Sequence, residues 1–320
     1  MKRNRKIRKK GKTSYFSLIL LLFIILRTFF ILWISKPENF RNEKDQIHSL
    51  LFNNFQNESY NAKSLIVVDR SNDSTFISKR ENEQNLPASL AKLFVIEYAT
   101  TLADLDNIVY ASPDAIALTK PGSSIANIQE QNYYLQNLYA AMLVPSGNDA
   151  AYVVADYCGG ILSPESTTTQ DRIAIFIDNL NIYLQQEGCK DTIIFDPSGF
   201  DTDARTTVSD LKLIVDKLLE NDWFRKIVSQ YYYTATLPDG STQSWENTNT
   251  FLNPTSKYYN ENVIGIKTGS LSDDYNLVVL YQQHGKEFLI CSLGSQSDSS
   301  RYDDVKYILK TIDESNYLAN

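Results

Sequence analysis

An α+β fold, with an antiparallel sheet assembled from both ends of the chain around an inserted helical region, is the class this 320-residue sequence predicts. Two observations carry it. Short β-branched and aromatic runs stand near residues 64–78 and again between 231 and 293, whereas the stretch from 132 to 219 repeats its apolar residues at helical spacing. No internal repeat interrupts residues 61–320, and roughly 260 residues fall within the size of one large domain.

Taken in order, Ser64–Asp69 and Thr75–Ser78 flank the polar Arg70-Ser-Asn-Asp-Ser74 and predict a hairpin. After Pro87 the period changes: Leu90, Leu93, Ile96 and Leu102 suit a helix that starts near Ser89. Helices are expected over Tyr134–Leu143, Asp149–Tyr157, Gln170–Gln186 and Val208–Leu219. Strands return at Tyr231–Thr236, Val263–Lys267, Asn276–Gln282 and Phe288–Leu293, with turn chemistry at His284-Gly-Lys286. A last helix runs from Ser299 or Ser300 to about Ile312, its apolar face carried by Tyr302, Val305, Ile308 and Leu309.

Ahead of this body, eight of the first twelve residues are Lys or Arg and none is acidic, so residues 1–14 read as a basic cytoplasmic tail. Tyr15–Ile34 is then almost wholly apolar, broken by Arg27. Twenty helical residues rising 1.5 Å each cover about 30 Å, one hydrocarbon core. A basic flank before such a run keeps the N-terminus in the cytoplasm and sends the rest outward. Residues 15–35 are therefore expected to be an uncleaved transmembrane signal anchor in the cell membrane, single-pass, with an extracytoplasmic domain at 61–320. The apolar run is long for a cleaved signal, and no small-x-small site follows Trp33. Arg27 reads as a tolerated polar residue in an otherwise strong segment, since an arginine there can snorkel toward a headgroup or sit among partner helices. Residues 36–60, rich in Asn, Glu and Gln, read as a polar stalk.

Composition excludes several classes of function. Residues 36–320 keep 22 Lys and Arg against 38 Asp and Glu, a net charge of about −16 that repels polyanions, so no nucleic acid partner is expected. Only His48 and His284 occur, which rules out zinc sites of the H-E-x-x-H kind; no metal and no other cofactor is expected. Cys158, Cys189 and Cys291 are an odd set without metal-ligand spacing, compatible with one disulfide or with buried free thiols.

The chemistry lies in three short runs. Ser89-Leu-Ala-Lys92 places a hydroxyl at a helix entrance and an amine one turn later on the same face. Ser146-Gly-Asn148 stands between two helices, where a loop can present a hydroxyl and an amide to a cleft. Lys267-Thr268-Gly269 follows the β-rich Val263-Ile-Gly-Ile266, so a fixed cation and a hydroxyl sit at a strand end and Gly269 admits a substrate backbone. Singly these motifs are weak: Ser209-Asp-Leu-Lys212 and Ser59-Tyr-Asn61 match two of them by chance. Their order and contexts single out Ser89, Ser146 and Lys267.

Longer blocks surround them: Leu86-Pro-Ala-Ser-Leu-Ala-Lys-Leu93, Met142-Leu-Val-Pro-Ser-Gly-Asn-Asp-Ala-Ala151, Phe195-Asp-Pro-Ser-Gly-Phe200 with Thr206, Thr207 and Asp210, Asn247-Thr-Asn249, and Gly265-Ile-Lys-Thr-Gly269. In this order they resemble the serine-type D-Ala-D-Ala carboxypeptidases, the low-molecular-mass penicillin-binding proteins, over about residues 62–320. The resemblance implies a β-lactamase/transpeptidase-like fold, a five-stranded antiparallel sheet flanked by helices. It implies a peptidoglycan stem peptide as substrate and β-lactams as covalent inhibitors. Ser89 would attack the penultimate D-Ala carbonyl, and Lys92, if a cationic neighbour and partial burial hold its pKa down, would take the proton. Ser146 would relay a proton to the departing D-Ala and Asn148 would donate to a substrate carbonyl. Lys267 and Thr268 would hold the terminal carboxylate, with the backbone N–H groups of Ser89 and Ser270 on the oxyanion.

Two departures stand out. The sequence ends about fifty residues after Gly269, so the family's C-terminal β-rich domain is not expected, and Ser270-Leu-Ser-Asp-Asp-Tyr275 lacks the small Ala-Gly pair before the next strand. Two other functions compete. A β-lactamase shares nucleophile and fold, but its class A form carries S-D-N where this chain has Ser146-Gly-Asn148, and Asp196 lies in a carboxypeptidase-like block rather than as a water-activating acid. An inactive wall-binding or sensor module would have no need of both Ser89 and Lys92.

Overall fold

The structure, a computed structural model, describes residues 60–315. The expected tail and anchor, and the stalk up to residue 59, lie outside the described residues. Among the described residues no helix is long and apolar enough to cross a membrane.

The chain opens with the expected hairpin, β1 (Ser64–Asp69) and β2 (Ser74–Lys79), and a 3₁₀ turn at Ala88–Leu90 leads into α1 (Ala91–Thr100). A short ladder of β3 (Ile108–Tyr110) with β4 (Asn132–Tyr134) brackets α2 (Pro113–Ala117). The helical region follows as α3 (Leu135–Leu143), α4 (Asn148–Leu162), α5 (Thr169–Gln186), α6 (Val208–Leu218) and α7 (Asp222–Val228). A ribbon of β5 (Tyr232–Thr236) and β6 (Thr242–Glu246) precedes β7 (Val263–Leu271), β8 (Asp274–Gln283), β9 (Lys286–Ser295) and α8 (Asp298–Glu314).

Both chain ends meet in one antiparallel five-stranded sheet of order β2-β1-β9-β8-β7. Asn276–Tyr281 of β8 is buried without alternation, because α8 packs against β8 and β9 while α6 and α7 pack against β1, β9 and β7. Helix α1 is buried all round from Ala91 to Ala99, wrapped by α3, α4, α5 and α6. That enclosure is why Lys92, a residue that normally reaches solvent, is fully buried here.

Two expectations change. Tyr231–Thr236 does not join the main sheet; β5 pairs with β6 in a separate ribbon, its inner face fixed by Trp245, whose indole N–H donates to the Ala126 carbonyl at 2.8 Å. Lys267 is not at a strand end either. Strand β7 continues to Leu271 in register with β8, so Lys267-Thr-Gly269 lies mid-strand on the sheet edge. The three cysteines are all free and buried, and burial pushes the Cys158 and Cys189 thiols up to about 12. No cluster of metal-ligating side chains occurs among the described residues.

Candidate active site

Ser89 sits in the 3₁₀ turn rather than at a helix cap; its side chain caps no N–H, and Ala88 before it takes a left-handed φ of 48°. Three contacts hold this strained turn. The Asn276 amide donates to the carbonyls of Leu86 and Pro87 at 2.8 and 2.9 Å. Gly199, itself at φ 78°, comes so close that a Cβ there would stand 1.9 Å from the Ala88 oxygen. A Cβ on Gly269 would stand 3.1 Å from the Pro87 oxygen, so the backbone this glycine admits is the protein's own Ser89 turn rather than only a substrate's.

One helical turn on, the Lys92 amine makes three hydrogen bonds: to Ser89 Oγ at 2.9 Å, Asn148 Oδ1 at 2.6 Å and the Ser198 carbonyl at 2.7 Å. The last two partners only accept. A neutral amine has two hydrogens and one lone pair, so with both carbonyl oxygens served its lone pair faces the one partner able to donate, the Ser89 hydroxyl. Burial lowers the Lys92 pKa to about 7, against the opposing pull of Asp196 and Asp149. The expected cationic neighbour is therefore not what lowers it; full burial is.

Ser146 lies in the α3–α4 loop at a left-handed φ of 65°. Its oxygen accepts from Lys267 Nζ at 2.7 Å, which leaves the hydroxyl hydrogen to offer elsewhere. Asn148 opens α4, and since its oxygen is engaged by Lys92, its NH₂ is the group it can turn to a ligand. The Lys267 amine is fully buried and also donates to the Thr268 carbonyl at 3.1 Å. Burial, then the charges of Lys92 and Arg301, push its pKa well below that of a free lysine. Thr268 shares a 2.6 Å hydroxyl contact with Thr248, and Ser270 is the exposed residue that follows on the same strand. The structure thus brings Ser89, Lys92, Ser146, Asn148, Lys267, Thr268 and Gly269 to one junction between the sheet edge and the helical region.

A family model described as D-alanyl-D-alanine carboxypeptidase matches residues 52–296. The chain belongs to the D-alanyl-D-alanine carboxypeptidase family. It is accordingly a serine hydrolase. The chain is 27% identical over 255 residues to the D-alanyl-D-alanine carboxypeptidase of Streptomyces sp. strain K15, covering 76% of this chain and 84% of that protein. It is 25% identical over 260 residues to D-alanyl-D-alanine carboxypeptidase DacD of Escherichia coli K12, covering 78% of this chain and 62% of that one. The crystal structure of the Streptomyces K15 protein, there called a DD-transpeptidase, superposes with a TM-score of 0.70 at 25% identity over 79% of this chain and 97% of its own. Ampicillin-bound penicillin-binding protein D2 of Listeria monocytogenes shares the fold, with a TM-score of 0.62 at 22% identity over 79% of this chain and 98% of its own. The β-lactamase/transpeptidase-like architecture expected of a D-alanyl-D-alanine carboxypeptidase is the one observed.

Sequence reading missed several supports of this candidate site. Ser198 enters through its main-chain oxygen, which no residue type announces. Its loop is pinned by Asp196, whose carboxylate accepts from the N–H groups of Ser198 at 2.8 Å, Gly199 at 3.0 Å and Asp201 at 2.7 Å, and from the Ser198 hydroxyl. Arg301 on α8 reaches under β7, donating to the Gly269 carbonyl at 2.9 Å, the Asn276 carbonyl at 3.0 Å and Ser270 Oγ at 3.1 Å, with Asp298 as its counter-ion. Nothing in its sequence context marks it. The carboxypeptidase-like block at Phe195–Phe200 was a signal for the loop that carries Ser198, though not for its role.

Proposed function

We propose that Ser89 is the nucleophile by which this carboxypeptidase removes the terminal D-Ala of peptidoglycan stem pentapeptides, through a covalent acyl-enzyme. The observation that carries this is the three-partner environment of Lys92, which fits the neutral amine as well as the cation. With Lys92 neutral, its lone pair takes the Ser89 proton as Oγ bonds to the penultimate D-Ala carbonyl carbon. The backbone N–H groups of Ser89 and Ser270 receive the developing oxyanion. As the C–N bond breaks, Ser146 gives its hydroxyl proton to the leaving amine and is itself reprotonated by the proton Lys92 took from Ser89, so that Lys92 is neutral again for the attack of water. The terminal carboxylate lies against Lys267 and Thr268, where its charge offsets that of a buried cation, with Arg301 holding the strand in place. Asn148 donates its NH₂ to a substrate carbonyl. Water then takes the acyl group and restores Ser89. β-Lactams present the same carbonyl in a ring, so they are read as covalent inhibitors.

Against a β-lactamase reading stands Asp196. Its oxygens are occupied by loop N–H groups, so it serves as a scaffold rather than as a base for water. An inert binding module is disfavoured by the 2.9 Å contact of Lys92 with Ser89. Release of D-Ala from a pentapeptide, measured beside hydrolysis of a chromogenic cephalosporin, separates the readings. D-Ala release with slow cephalosporin turnover is expected; rapid cephalosporin hydrolysis without D-Ala release would overturn the assignment.

The substrate lies outside the membrane, and residues 15–35 are proposed as the anchor that holds the catalytic domain there. Deleting residues 1–35 is expected to move the protein from the membrane to the soluble fraction with penicillin binding retained. Recovery of that shortened protein in the membrane fraction would count against the anchor.

A further inference from the structure

Two surface cavities away from the cleft, of about 510 and 360 Å³, share one side chain, Tyr110. The ring is 54% exposed, yet it is held. Tyr110 is paired in register with the exposed Asn132 across the β3–β4 ladder, and its hydroxyl donates to Glu130 Oε1 at 2.5 Å. The larger cavity is bordered by Arg172, already neutralised by Asp156 at 2.6 Å; the smaller is bordered by Asn132 and by the ribbon tip, Pro238 and Asp239. An exposed, immobilised aromatic face between amide, carboxylate and hydroxyl groups suits a ligand with an apolar ring face and polar edges, which describes a sugar. Charge argues the same way. The only cation of the larger cavity is paired, and residues 36–320 carry a net charge of about −16, so an uncharged polymer fits and a polyanion does not.

The ribbon links this groove to the catalytic junction. Pro238 and Asp239 lie at its tip, and its other end runs from Glu246 to Thr248, which touches Thr268. The six steps between the seven extended residues Thr242 to Thr248 span about 20 Å. An extended stem pentapeptide spans about 17 Å, and its linkage to the sugar adds to that. We propose that the two cavities form one groove for the glycan strand that bears the stem peptide, with Tyr110 as the stacking platform. This rests on the assignment of peptidoglycan as substrate.

The test uses the full-length protein in detergent and, as probe, peptide-free glycan strands prepared from peptidoglycan by an amidase. Wild-type protein is expected to bind the strands, Tyr110→Ala to bind them about tenfold more weakly, and Tyr110→Trp to restore binding. The ratio kcat/KM should fall by a similar factor in Tyr110→Ala on polymeric peptidoglycan and stay unchanged on soluble pentapeptide. Absence of binding by the wild type, equal binding by Tyr110→Ala, or tighter binding of an anionic wall polymer would each overturn the proposal. Strand binding is read without turnover, so loss of D-Ala release would mark failure of the enzymatic reading and not of the groove.

Discussion

Lys92 concentrates the account at the level of single residues. A buried amine with a pKa of about 7 is half neutral near neutral pH, where a free lysine would be almost wholly charged. Acylation by a β-lactam should therefore rise as pH passes through about 7 and Lys92 loses its proton. Burial and the neighbouring charges of Lys92 and Arg301 push Lys267 the same way, and wherever it gives up its charge the carboxylate is held less firmly. A stopped-flow pH profile of acylation checks this; a rate that climbs only near the free-lysine value would contradict it. The same shift acts on stability with a definite sign. Between about 7 and 10.5 the unfolded chain holds a proton that folded Lys92 has lost, so stability should increase with pH across that window. Lys92→Ala should slow acylation by roughly 10²- to 10⁴-fold. The motif residues that meet at this site were legible in the sequence because three short motifs stand in a set order within longer telling blocks, although each side-chain type is common. Ser198 and Arg301 were not, since one acts through its main chain and the other through a fold-dependent reach from α8 to β7.

At the scale of elements, the Ser89 turn depends on how closely its neighbours approach. Gly199→Ala would place a methyl 1.9 Å from the Ala88 carbonyl at a backbone conformation that disfavours a side chain. It is expected to destabilise the fold by roughly 2–4 kcal/mol and to slow acylation, because relief must come from moving either the Ser89 turn or the Ser198 loop. Thermal unfolding and acylation rate, measured on one sample, test this; wild-type values for both would refute the packing argument. Gly269→Ala, with its nearest contact at 3.1 Å, should be the milder change. The long helices were legible because a 3.6-residue period persists over several turns, as in α5 and α6. Strand β5 was placed in the wrong sheet for the converse reason. A run of two Tyr, two Thr and one Ala fits any half-exposed ladder, and the long-range docking of Trp245 and Gln243 on Ala126 selects the ribbon. The three-residue β3 and β4 are too short to show a period at all.

At the scale of the whole molecule, the sheet draws both ends of the described residues together, with β1 between β2 and β9 and the edge that carries Lys267 on β7. The order of strand and helix runs made that closure legible, whereas the number of strands came from the family resemblance and their order in the sheet is set by long-range pairing that no local run encodes. The arrangement sets the sheet edge that carries Lys267 against the helical region that carries Lys92 and Ser146, so the site exists only in the assembled fold. Its central claim is that this junction makes Ser89 a nucleophile. Mass spectrometry of intact protein after exposure to benzylpenicillin, followed by peptide mapping, tests that most directly. A single covalent adduct on Ser89 in the wild type, absent from Ser89→Ala, is the predicted result. No adduct on folded wild-type protein, or an adduct on another residue that survives Ser89→Ala, would contradict it.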